Sequence, residues 1–131
     1  MLQELIEQDP IIRFLVSRSK ITAPQLDSCV IDAISHRDDQ DLEEKVSMRD
    51  GKRVTKGSFL RTLKQGKENV EKSIYMLILS EYLDILPQDI IEDVVKVGKM
   101  LKDLKMQDVD PEKVKEILLL LHKFSDVMSQ R

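Results

Sequence analysis

The stretch SFLRTLKQGKENVEKSIYMLILSEYLDIL, residues 58–86, decides the fold, because it carries the longest helical periodicity in the chain. At 100° per residue, Phe59, Leu60, Gly66, Val70, Ile74, Leu77 and Ile78 fall within about 60° of Leu63. Arg61, Lys64, Gln65, Glu68, Asn69 and Lys72 take the far side. Ser58 is the expected N-cap, its hydroxyl accepting an early backbone N–H. Gly66 lies on the apolar stripe, where it costs about 1 kcal/mol against Ala; close approach of another helix is the simplest compensation, and a break there is the alternative. From Ile74 to Leu86 ten of thirteen positions are apolar, so this half is expected to be surrounded by other helices.

On the N-terminal side, Asp9-Pro10 supplies a cap and a first helical proline, separating a short helix from a second near 10–19. Thr22-Ala23-Pro24-Gln25 reads as a capping box that opens a helix to about Ser35. Leu26, Cys29, Val30, Ala33 and Ile34 line one side of it, with Cys29 as a small packing residue. Residues 38–47 begin with acids and offer only Leu42 and Val46 for burial, a short and weakly anchored helix. Asp50-Gly51 then marks a tight turn, which fits either a small hairpin or a loop near 46–56.

On the C-terminal side Pro87 is a boundary, and Gln88–Lys105 resumes with Ile90, Ile91, Val94, Val97, Gly98, Leu101 and Leu104 on one stripe. Asp110-Pro111-Glu112 opens a last helix to about Met128. Its stripe is Val114, Ile117, Leu118, Leu121, Phe124, Val127 and Met128; Leu119 and Leu120 widen it, which suits a homodimer contact through the C-terminal helices or, more commonly, a deeper core or a partly exposed leucine. The expectation is all-α: one domain over residues 1–131, built as a compact bundle of five or six helices.

Composition narrows the class. The chain has 131 residues, 41% hydrophobic and 34% charged, too apolar for intrinsic disorder and too rich in helix formers for a β-sandwich. A single Cys excludes an internal disulfide framework and a Cys-rich zinc site, and suits a reducing cytoplasm. No apolar run approaches the roughly 18–20 residues of a membrane helix, and the start lacks the pattern of a signal peptide. His36 and His122 have no second ligand at metal spacing, and the acidic run 38–44 lacks the Gly and terminal Glu of a calcium loop. None of G-x-x-x-x-G-K-[ST], G-x-G-x-x-G or G-x-S-x-G occurs, so neither an enzyme nor a cofactor is expected.

Charge is segregated beneath the net value of −3. Residues 1–48 hold ten acids and five bases, and residues 73–131 hold eleven acids and eight bases. The 24 residues between carry eight bases (Arg49, Lys52, Arg53, Lys56, Arg61, Lys64, Lys67, Lys72) against three acids. A polyanion would therefore meet that block. Arg49, Lys52, Arg53 and Lys56 form a basic lead-in able to follow a phosphate backbone or enter a minor groove. Arg61, Lys64, Gln65, Asn69 and Lys72 suit phosphate contact and base readout, since Arg pairs with guanine and Asn or Gln with adenine. Phe14, Phe59, Tyr75, Tyr82 and Phe124 fall mostly on expected core stripes, which favours duplex DNA over a stacked single strand.

Val54-Thr55-Lys56-Gly57-Ser58-Phe59-Leu60-Arg61-Thr62-Leu63 resembles the start of the second helix of a helix-turn-helix DNA-binding unit, over about 20 residues. The resemblance implies phosphate or base-edge contacts by Thr55, Lys56 and Ser58, and further contacts by Arg61, Gln65 and Asn69. The connection Met48–Gly57 departs from that family by exceeding its usual turn of 3–4 residues. The expected function is duplex-DNA binding by a transcriptional regulator. The alternative is a helical adaptor whose protein partner meets Leu118–Leu121 or the acidic run 38–44.

Overall fold

Helix α1, Pro10–Arg18, starts where Asp9 places its carboxylate under the first turn, accepting from the Ile11 and Ile12 N–H groups at 2.9 and 3.2 Å. Pro10 fills the first helical position, where no amide hydrogen is needed. Thr22 and Gln25 open α2, Ala23–Arg37, as a reciprocal pair: Gln25 N–H donates to Thr22 Oγ1 (3.3 Å) and Thr22 N–H to Gln25 Oε1 (3.1 Å). The computed structural model describes residues 8–37, 55–104 and 110–130, so most of the short helix expected ahead of Asp9, the helix expected at 38–47 and most of the hairpin or loop at 46–56 lie outside the described residues. Thr55, within that span, is not helical and immediately precedes the next helix.

That helix, α3, spans Lys56–Tyr82. Its cap is Thr55 and not Ser58: Thr55 Oγ1 accepts from Ser58 N–H at 3.0 Å, and the Thr55 carbonyl accepts from Phe59 N–H at 2.9 Å. The cap moves upstream because Lys56 and Gly57 tolerate helical geometry, which gives Thr55 an N3 amide to hold. At the other end α3 stops at Tyr82, short of Leu86. Asp84 adopts a left-handed conformation (φ 57°), its N–H donates to the Glu81 carbonyl, and Ile85 N–H donates to the Ser80 carbonyl. Those paired bonds are a Schellman termination, usually built on Gly and here on Asp.

The chain divides into two packed units, Met1–Tyr75 and Met76–Arg131, with the division falling inside α3. In the first unit the buried apolar side chains come from three helices: Ile11, Ile31, Phe59 and Leu63. Each stabilises by about 1.5–3 kcal/mol relative to exposure. Helices α2 and α3 approach closely at Gly66, where an added Cβ would lie 2.6 Å from Cys29 Sγ and 3.0 Å from the Gln25 carbonyl oxygen. Asn69 Nδ2 donates to Gln25 Oε1 (2.9 Å) and Lys67 pairs with Asp32 (3.1 Å).

In the second unit α4 spans Ile90–Asp103 and α5 spans Pro111–His122. Asp110 caps α5 by accepting from Lys113 N–H at 2.8 Å. The last helix ends at His122, earlier than Met128; a turn and a 3-10 helix, Val127–Gln130, follow. Ile117 and Leu121 are buried, and Ser80 of α3 is buried with its hydroxyl donating to the Met76 carbonyl at 2.7 Å. The architecture is all-helical, and no strand occurs among the described residues.

A further expectation fails, this one about burial. Residues 74–86 of the long helical stretch are not surrounded: Ile74, Tyr75, Met76, Leu77, Ile78, Leu79, Tyr82, Leu83 and Ile85 are all exposed. Apolar density on every side of a helix shows that it seeks cover, not that its own chain supplies it.

Candidate nucleic-acid interface

The anchored side of α3 fixes where its cations point. Phe59 is fully buried, and Leu63 and Gly66 are buried on the same side. That side being spent on the core, the opposite side faces solvent, and Arg61, Lys64, Gln65, Glu68 and Lys72 are all exposed there. Among the described residues Lys64, Glu68 and Lys72 enter no ion pair, so the two i,i+4 combinations available on this face stay open. Lys67 is turned the other way, toward Asp32 on α2.

At the head of the helix Thr55, Lys56 and Ser58 are exposed. The Thr55 hydroxyl oxygen already holds the Ser58 amide, and the Ser58 carbonyl accepts from Thr62 Oγ1 at 2.9 Å. The hydroxyl groups of Thr55 and Ser58 can still donate to a phosphate oxygen. Arg49, Lys52 and Arg53 lie outside the described residues.

Asn69 stands apart from the others. It is half-buried, and its amide nitrogen donates to Gln25, whose same oxygen closes the cap of α2. The residue holds α3 to α2 and is not presented for base reading. Thr55, Lys56, Ser58, Arg61, Lys64, Gln65 and Lys72 remain as one exposed set along the first two-thirds of a 27-residue helix about 40 Å long.

Tyr75 and Tyr82 were missed as surface residues. They are 72% and 83% exposed and lie on the outer side that carries Arg61, Lys64 and Lys72. The 100° projection that places the cations places these rings beside them; the apolar character of residues 74–86 argued the other way. The outer side of α3 thus changes along its length from cationic to aromatic and aliphatic. Each phenol offers a hydroxyl that can reach a phosphate oxygen and a ring that can pack.

No helix of the described residues is long and apolar enough to cross a membrane. Set against protein-family models, curated proteins and solved structures, the chain matches none.

Proposed function

We propose that this protein binds duplex DNA through the outer side of the first two-thirds of α3. The observation that carries the reading is the division of that helix into a buried seam of Phe59, Leu63 and Gly66 and an opposed exposed row of Arg61, Lys64, Gln65 and Lys72. A rigidly seated helix presenting cations and amide side chains has the shape and donors for a major groove. Thr55, Lys56 and Ser58 add phosphate contacts at its head. Glu68, in the same row, is repelled by phosphate but accepts from the amino group of cytosine, which orients the face toward base edges. In this reading the protein is a cytoplasmic regulator of transcription. As a homodimer it would set two such helices along one duplex, offsetting the acidity of the rest of the chain.

The test is a titration with random duplex at low ionic strength. Binding is expected, with Arg61→Ala and Lys64→Ala each weakening it several-fold while Asn69→Ala leaves it unchanged. Absence of binding by the wild-type chain at low salt ends the reading.

A second reading, a helical adaptor that binds protein and no nucleic acid, is favoured by the exposed apolar residues of α3 from Val70 to Tyr82. The leucine cluster at 118–121 favours it less: Leu121 is buried, Leu118 and Leu120 are half-buried, and Leu119 alone is strongly exposed. The acidic run 38–44 lies outside the described residues. An adaptor keeps its partner after nuclease treatment.

A further inference from the structure

Two adjacent i,i+4 rows on α3, Ile74–Ile78–Tyr82 and Tyr75–Leu79–Leu83, run side by side along the second half of the helix and into its final turn. All six side chains are 49–83% exposed. At about 200 Å² for a fully exposed large side chain they present roughly 700 Å², against about 800 Å² per partner in a standard stable interface and a few hundred Å² in the apolar patch of an ordinary monomer.

From these two rows we infer that a second copy of this chain packs on α3, row into groove, to form a symmetric dimer. Three features select a copy over another occupant. Two parallel i,i+4 ridges with a groove between them are self-complementary: a ridge of one helix seats in the groove of its mate at the crossing angle of about −50° that such rows favour. A twofold contact sets each residue against residues of the same set, and neither row carries a charge, so no like charges meet. The available area also matches what one dimer face requires. The contact lies farther along the same outer side of α3 than the cations, and it differs from dimerisation through the C-terminal helices, where Leu119 is the strongly exposed leucine of α5.

Sedimentation of the full chain at micromolar concentration tests this. The expected mass is twice 15.2 kDa. Ile78→Glu is expected to weaken the dimer at least tenfold, whereas Leu119→Glu leaves it intact. Circular dichroism checks that each variant is folded. If Ile78→Glu unfolds, Tyr82→Ser replaces it, since that ring is the most exposed of the six and holds no core together. A wild-type monomer, an open polymer, or a dimer broken by Leu119→Glu but not by the α3 variants overturns the inference. Loss of DNA binding with the mass unchanged bears on the cationic face alone.

Discussion

Two glycines inside helices show how much a single position depends on its neighbours. At Gly66 a Cβ would meet Cys29 Sγ and the Gln25 carbonyl, whereas at Gly98 in α4 it would meet nothing within 4 Å. Gly66→Ala should therefore destabilise the chain by about 1–3 kcal/mol through overpacking, and Gly98→Ala should stabilise it by up to about 1 kcal/mol by relieving helix entropy. Opposite shifts of the urea midpoint check both signs. Beside Gly66, burial pushes the Cys29 thiol above its ordinary range; nearby Lys67 pulls it down and Asp32 pushes it up. A pKa raised by folding gives stability that is complete below the unfolded value and is lost as pH rises through the folded one. Melting temperatures followed from pH 7 to 10 should fall more steeply for the wild type than for Cys29→Ala.

The elements were legible in the sequence wherever a side chain makes the boundary. Asp9-Pro10, Thr22 with Gln25, and Asp110-Pro111 each perform the capping their chemistry suggests. Boundaries made by backbone conformation were not: α3 ends on an aspartate at positive φ, and Asp residues carry no reliable sign of that state. The cationic half of α3 could be read from periodicity because one side is apolar and the other polar. Its second half, apolar on every side, gives no direction, so periodicity could not say which residues stay exposed. Asn69 also looked like a base reader, because its link to Gln25 joins residues 44 positions apart. Helix α4 yields a prediction at this scale. Its N-cap, Asp89, is left-handed (φ 65°) and makes no side-chain capping bond. Asp89→Gly should stabilise the protein by a few tenths to about 1 kcal/mol, read as a higher thermal midpoint.

At the scale of the whole molecule, a chain of net charge −3 confines its excess of positive charge to one block, so any attraction for a polyanion is local and easily screened. With Lys56, Arg61, Lys64 and Lys72 as phosphate contacts, the logarithm of DNA affinity should fall against the logarithm of salt concentration with a slope of about −3.5 per chain. A slope near zero in a salt titration would remove those four residues from the interface. The chain contains no tryptophan and two tyrosines, and both tyrosines stand exposed on α3. Intrinsic ultraviolet emission of the native protein therefore originates from that one helix. A quencher dissolved in the buffer, or a change in the intensity and lifetime of the emitted light, reports directly on whatever settles over it, with no label attached.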